Sequence, residues 1–339
     1  YEDRGETDPY LIFAQRGANL VRVRLWNDPG WTEYSDLPDV AKSLRRAGNA
    51  GLQTLLNFHY SDDWADPQKQ IIPAAWAGIQ DPEALAGELY RFTYETLVKL
   101  HESGLAPDMV QVGNETNGEL MMAKPGEGYP IDWDRNARLL NAGIAAVRDA
   151  SEAVGKPIRV MLHIAQPENA EPWFEAAVAA GISEFDLIGL SYYSKWSSNS
   201  MQEFGETISR LRDRYEADVI LVETAYPWTL ESNDLGNNLL GEDALVEGYP
   251  ATTDGQKQYL VDLTQTVIDH GGTGIVYWEP AWISNDCGTR WGEGSHWENA
   301  TLFDYGNPAR IVAGMGYMSH AYTFPAGMPE TLRILPPDR

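Results

Sequence analysis

Seven short apolar segments, beginning near Val21, Gln53, Met109, Ile158, Leu187, Val219 and Gly274, alternate along the chain with longer amphipathic stretches. Each segment has the length of a buried strand, and the stretches between them carry apolar residues at helical spacing. Pro38 to Ala50 places Val40, Ala41, Leu44 and Ala47 on one helical face. Asp81-Pro82 supplies a cap followed by proline at the first helical position, and the stripe Leu85, Leu89, Phe92 and Leu100 continues until Gly104 stops it. Further helices are expected at Tyr10 to Arg16, Asp134 to Val154, Trp173 to Ala180, Met201 to Tyr215 and Asp254 to His270. Strand alternating with helix demands a parallel sheet with right-handed crossovers, which leaves two solutions, a (β/α)8 TIM barrel and a doubly wound open sheet.

Polar residues decide between them. Trp26-Asn27-Asp28, His59 to Asp62, Asn114-Glu115, His163, Tyr192-Tyr193, Glu223 and Trp278-Glu279 all fall just after the strand segments. A barrel gathers such positions into one ring, whereas an open sheet concentrates its site at one switch point. No glycine-rich phosphate loop follows the first strand. The expectation is an α/β chain of barrel class forming a single catalytic domain over residues 1–339, with its first strand lying upstream of residue 1 because only seven strands can be counted.

The chain carries 50 acidic against 25 basic residues, a net charge of −25 spread along its length, which argues against nucleic acid or anionic membranes as partners. Cys287 is its one cysteine, so an intramolecular disulfide and a cysteine-based zinc site are excluded. No apolar run reaches transmembrane length, and a working monomer is expected. Many of the 12 tryptophans lie in polar loops, among them Trp64, Trp76, Trp196, Trp228, Trp282, Trp291 and Trp297, where core packing is not the obvious explanation. Sugar rings stack on aromatic faces of this kind.

Two strand segments share a design. MVQVGNE (Met109 to Glu115) and VILVE (Val219 to Glu223) are apolar and each ends in a glutamate. Two carboxylates facing each other can cleave a glycosidic bond, with retention when they stand about 5–5.5 Å apart and inversion when a gap of about 6.5–9.5 Å admits water. The acid must be protonated and the nucleophile ionised at one pH, so their surroundings must differ; Asn114 and Arg22 are candidate tuners. A single strand-end glutamate is more often a cap or a surface charge, but two at matched positions among Trp, Tyr and His favour catalysis. Arg22 and Arg24 share a strand face with Trp26, and ion pairing competes with a substrate role for each. For His59 and His163 a hydrogen-bonded core histidine is as good a reading as a substrate contact. A metal site of His59, His163 and Asp62 is weaker, because neither HxH nor HExxH spacing is present.

The segments GANLVRVRLWNDP (Gly17 to Pro29), NFHYSDDWADPQKQIIPAAW (Asn57 to Trp76), VQVGNE (Val110 to Glu115), GLSYYSKW (Gly189 to Trp196), VETAYPW (Val222 to Trp228) and YWEPAWI (Tyr277 to Ile283) resemble the arabinogalactan endo-β-1,4-galactanases of glycoside hydrolase family 53. The likeness covers nearly the whole chain in order. It implies a (β/α)8 barrel of the retaining clan A that cuts the β-1,4-galactan side chains of pectin outside the cell. It further implies Glu115 as acid/base, Glu223 as nucleophile, Arg22, Asn114, Tyr193 and Trp278 around the cleavage subsite, and His59, Trp64, His163 and Trp282 along the groove. Relatives also begin with a strand upstream of the YEDRGE-like segment, in line with the strand missing from the count. Some bacterial relatives hold calcium in the loop after the nucleophile strand; here Asp234, Asn237 and Asn238 in Thr229 to Pro250 offer oxygens without that spacing, so calcium stays open but unsupported and no cofactor is expected.

Three other readings stand beside this one: a retaining clan-A glycanase acting on mannan, xylan or β-glucan, a non-catalytic polysaccharide-binding barrel, and a metal-dependent hydrolase.

Overall fold

A computed structural model describes residues 7–325; the YEDRGE-like segment, residues 1–6, lies outside the described residues. Seven strands, β1 (Leu20–Leu25), β2 (Gln53–Phe58), β3 (Met109–Val112), β4 (Arg159–Ala165), β5 (Leu187–Ser191), β6 (Asp218–Thr224) and β7 (Gly274–Tyr277), follow one another in sheet order. They alternate with α1 (Pro9–Gln15), α2 (Leu37–Asn49), α3 (Pro82–Glu102), α4 (Trp133–Val154), α5 (Ala170–Ala179), α6 (Met201–Tyr215) and α7 (Thr253–Asp269). This is the element order of the (β/α)8-barrel class, as the alternation predicts. No helix among the described residues is long and apolar enough to cross a membrane.

Local chemistry places the helix starts. Asp8, Asp36, Asp81 and Asp132 each accept a backbone N–H of the first turn, and Thr252 does the same for α7. Pro9, Pro38 and Pro82 follow their caps within two residues. Most boundaries agree with the sequence reading to within a residue, and two differ by more. The fifth helix begins at Ala170, three residues early, because a 3-10 turn over Pro167–Asn169 feeds directly into it. His163 lies inside β4 rather than after it, since the strand runs on through the buried Ile164 and Ala165.

The chain divides into two compact units, the first comprising Leu20–Ser191 and Leu211–Val219. In this unit β1 to β5 pair in parallel, and the register aligns Arg24 with Asn57, Asn57 with Gln111, and Gln111 with Met161. β3 and β5 are buried at every position, as expected for strands covered on both faces. The second unit holds residues 7–19, 192–210 and 220–325. Here β6 pairs with β7, and the register jumps: Leu221 faces Ile275 while Thr224 faces Tyr277, so β6 carries one extra residue across Val222-Glu223. Such a bulge bends the strand and re-aims a side chain. A short antiparallel hairpin of β8 (Gly288–Thr289) and β9 (Gly292–Glu293) follows in the loop after β7.

The packing of α4 on β3 sets a limit that helix propensity alone would miss. A Cβ on Gly143 of α4 would meet Val112 Cγ1 at 2.6 Å, with Leu89 Cδ2 and Tyr60 Oη at 3.2 Å. Valine is stiff at χ1 and Val112 is fully buried, so it cannot give way cheaply. Gly143→Ala is expected to lower stability by about 1–3 kcal/mol, overriding the ~1 kcal/mol that alanine ordinarily adds in a helix. Gly87→Ala in α3, where nothing lies within 4 Å of the added methyl, is expected to stabilise by about 0.5–1 kcal/mol. Urea midpoints of both variants check the opposite signs.

Candidate active site

In the first unit the site is built on the turn that ends β3. Gly113 adopts φ +82°, and a Cβ there would sit 2.4 Å from Thr116 Cγ2, so the turn requires glycine. Glu115 also has positive φ, +46°, an uncommon conformation for a side-chain-bearing residue. It is held by its surroundings. The Glu115 N–H donates to His163 Nδ1 at 3.2 Å, and Thr116 N–H donates to the His163 carbonyl at 2.9 Å. Gln70 Nε2 donates to the carbonyls of Asn114 and Glu115 at 2.8 and 3.1 Å. The Glu115 carboxylate accepts from Ser191 Oγ at 2.6 Å, and Ser191 Oγ in turn lies 2.9 Å from His163 Nε2.

Beneath that turn runs a buried polar lattice. Arg22 donates from Nη2 to Asn114 Oδ1 at 2.6 Å and from Nε to Gln111 Oε1 at 2.9 Å. Asn57 Nδ2 donates to the same Asn114 oxygen at 2.9 Å, while Asn114 Nδ2 donates to the Ala65 carbonyl at 2.8 Å. The Asn114 oxygen thus serves the protein, and what remains for a sugar hydroxyl is its second amide hydrogen. Gln111 Nε2 reaches Asn57 Oδ1, the Gly113 carbonyl and His163 Nδ1 at 2.8, 2.7 and 3.0 Å.

The structure joins Arg22, Asn114, Glu115 and His163 into one hydrogen-bonded group. His59 and Trp64 form a neighbouring one. His59 is buried, accepts the Ala65 N–H on Nδ1 at 3.1 Å, and sets its ring near Trp26 and Trp64 with centroids 6.5 and 6.1 Å away. Its Nε2 has no partner among the described residues. Arg24 lies 4.1 Å over the Trp64 ring, a cation–π contact that fixes the tryptophan.

In the second unit Glu223 is buried on the bulge of β6, with its carbonyl accepting the Tyr192 N–H at 2.9 Å. Tyr193 Oη stands 3.4 Å from Glu223 Oε2 and donates to it, and the Tyr193 ring rests edge-on against Trp196 and Trp297. Trp278, directly after β7, donates its N–H to the Thr224 carbonyl at 2.9 Å and accepts from Trp297 Nε1 on its own carbonyl at 3.1 Å. Trp282 lies further along the same loop, its carbonyl accepting from Ser295 Oγ at 2.6 Å and its ring edge-on to His296. Glu223, Tyr193 and Trp278 therefore cluster, while Trp282 belongs to the loop beyond them.

The loop from Thr229 to Pro250 is tied to residues 284–299 by protein donors. Asp234 accepts the N–H groups of Gly236, Asn285 and Ser295 at 2.7, 3.0 and 2.7 Å, and Glu298 accepts those of Asn233 and Asp234 at 2.6 and 3.3 Å. Asn238 Oδ1 faces the Asn299 N–H, and the Asn237 carbonyl faces His296 Nδ1. These oxygens each face a nitrogen donor of the protein.

Several site residues escaped the sequence reading: Ser191, Gln111, Asn57 and Gln70. A signal existed for three of them. Asn57 and Gln111 interrupt apolar strands, and Ser191 precedes the two tyrosines, so each is a polar side chain in a segment that is otherwise buried.

Burial, reinforced by the charges of Arg22 and Arg24, holds the His59 pKa well below the usual histidine value; for His163 burial again leads, followed by Arg22 and His59. Both rings stay neutral in the folded protein at pH values where the unfolded chain takes up a proton. Unfolding therefore binds protons below about pH 6.5, and stability falls as pH drops through that value. His59→Asn is expected to remove one such proton, flattening the fall of unfolding free energy between pH 6.5 and 5 by up to about 1.4 kcal/mol per pH unit relative to the parent. Urea unfolding of both proteins across that range measures it.

Comparison with known proteins points the same way. The model of glycosyl hydrolase family 53 matches residues 1–314. An arabinogalactan endo-beta-1,4-galactanase of Cellvibrio japonicus is 54% identical over 307 residues, covering 90% of this chain and 81% of that protein. The GH53 catalytic domain of Ignisphaera aggregans superposes with a TM-score of 0.83 at 32% identity, covering 95% of this chain and 90% of that one. A structure from a study of two fungal beta-1,4-galactanases gives a TM-score of 0.78 at 30% identity, covering 92% and 91% of the two chains.

Proposed function

The chain belongs to glycosyl hydrolase family 53, and from that membership we propose that it is an endo-β-1,4-galactanase acting by double displacement. Glu115 is the acid/base and Glu223 the nucleophile. The observation that carries this reading is the likeness to a galactanase along nearly the full chain, joined to two glutamates that each sit at or just beyond a strand end in a socket of hydrogen-bond donors.

In the first step a Glu223 carboxylate oxygen attacks the anomeric carbon of a galactosyl unit. The bond to the leaving oxygen breaks as Glu115 delivers its proton to that oxygen, and a galactosyl ester forms on Glu223. In the second step Glu115, now ionised, takes a proton from water; the water oxygen attacks the anomeric carbon and releases Glu223 as a carboxylate. Two inversions give net retention. Tyr193 steadies the nucleophile by donating to Glu223 Oε2. Asn114 offers its remaining amide hydrogen to a sugar hydroxyl, Trp278 supplies an aromatic face at the cleavage subsite, and Trp64 and Trp282 extend the groove. His59 and His163 serve the groove from beneath, as packed and hydrogen-bonding supports.

The substrate is a neutral polymer, so a net charge of −25 does not oppose its approach. A wall polysaccharide is too large to enter a cell, which places the enzyme outside one or at its surface. Both glutamates come from one chain, in keeping with a working monomer. The protein-donor ties of the loop from Thr229 to Pro250 support an enzyme that works without calcium.

Reducing-end release from linear β-1,4-galactan, measured beside β-mannan, xylan and cellulose, is expected with galactan alone. Glu223→Ala and Glu115→Ala are each expected to lose at least about 10²–10⁴-fold in that rate while unfolding normally. Release from another polymer overturns the substrate, and full activity in either variant overturns the roles.

A further inference from the structure

The His163 ring fixes the direction of a hydrogen-bond chain that ends on Glu115. Its Nδ1 faces donors: the Glu115 backbone N–H at 3.2 Å, Gln111 Nε2 at 3.0 Å and Arg22 Nη2 at 3.5 Å. A nitrogen in that position must present its lone pair, so the ring proton resides on Nε2. Nε2 stands 2.9 Å from Ser191 Oγ and therefore donates to it. The hydroxyl accepts from His163, and its single proton is left to point at Glu115 Oε1, 2.6 Å away. Ser191 and His163 are both buried, so water does not compete for either group.

We propose that Ser191 is a positioning residue that sets the proton affinity of Glu115 and thereby the alkaline limit of the enzyme. The inference rests on the assignment of Glu115 as acid/base. A hydroxyl aimed at a carboxylate stabilises the ionised form, because the acceptor is strongest when charged. When Glu115 takes up its proton, that bond weakens, while the His163 contact keeps the serine from turning away. Ser191 thus opposes the groups that favour protonation. It also anchors Oε1, so the proton passed to the leaving oxygen is carried on Oε2. In the second step the same hydroxyl favours the carboxylate that draws a proton from water.

Among the described contacts, the titratable and charged groups that reach the Glu115 turn are His163 and Arg22. His163 on β4 is kept neutral by burial and by the guanidinium of Arg22 on β1. Arg22 reaches the turn through Asn114 and Gln111. Glu223 on β6 is its partner in the mechanism proposed above. None of these changes in Ser191→Ala, so the variant isolates the hydroxyl.

The test is the pH dependence of kcat/KM on linear β-1,4-galactan for the parent, Ser191→Ala and Ser191→Cys. The alkaline limb reports the acid of the free enzyme. Loss of a charge-assisted donor is expected to move it upward by about one pH unit in Ser191→Ala. Ser191→Cys, with a weaker donor, should fall between, and it carries the test if the alanine protein does not fold. A limb that stays in place or moves down in the folded variants overturns the inference. A parent that releases nothing from galactan defeats the galactanase reading instead. A carbon NMR titration of Glu115 in the intact chain needs no turnover: a higher ionisation midpoint in the variant supports the inference, and equal midpoints overturn it.

Discussion

The group on which this structure most depends is the buried set of hydrogen bonds joining Arg22, Asn57, Gln111, Asn114 and His163. Unpaired, any one of these side chains would cost several kcal/mol inside an apolar sheet. Paired, each fixes the next, because a planar amide or ring offers few alternative ways to satisfy the same partners. The Asn114 oxygen illustrates the economy of the design: it accepts from both Arg22 and Asn57, and this holds the turn that carries Glu115. A glutamate at φ +46° persists only where its neighbours over-determine it, and here its N–H, its carbonyl and its carboxylate are each engaged.

The second glutamate is placed by a different device. Glu223 lies where β6 carries one more residue than β7, a local irregularity in an otherwise regular parallel ladder. Bulges of this kind are frequent beside functional sites because the local bend they impose re-aims a side chain. Its aromatic surroundings are then held by one another: Tyr193 against Trp297, and Trp297 through its indole N–H to the Trp278 carbonyl. One carboxylate is thus set by a polar lattice and the other by a backbone irregularity with aromatic walls. That difference in surroundings is what a pair with opposite protonation states requires.

Much of this was legible in the sequence, for identifiable reasons. Alternating strand and helix follow from hydrophobic periodicity, so the order β1 to β7 and the helices between them could be read directly. Glu115 and Glu223 stood out because a carboxylate at the end of an apolar strand conflicts with simple burial. The extent of β4 was misread because His163 looks like a strand end until its ring nitrogens are seen to be satisfied inside the sheet. Ser191 is harder to read, since its one signal is a small uncharged polar side chain in a segment that is otherwise apolar. The bulge at Glu223 was not readable at all, because it depends on pairing with a segment about fifty residues away, Gly274–Tyr277. The loop Thr229 to Pro250 was judged by its ligand spacing, whereas its shape depends on backbone N–H groups contributed by residues far along the chain.

The central claim is that Glu223 forms a covalent bond to the sugar. A galactobioside with fluorine at C2 and a good leaving group at C1 tests this most directly, since the fluorine slows hydrolysis of the ester more than it blocks its formation. Mass analysis of the digested protein is expected to show one glycosyl adduct, on the peptide containing Glu223. An adduct on any other residue, or turnover that yields the inverted anomer with no adduct, would contradict the account.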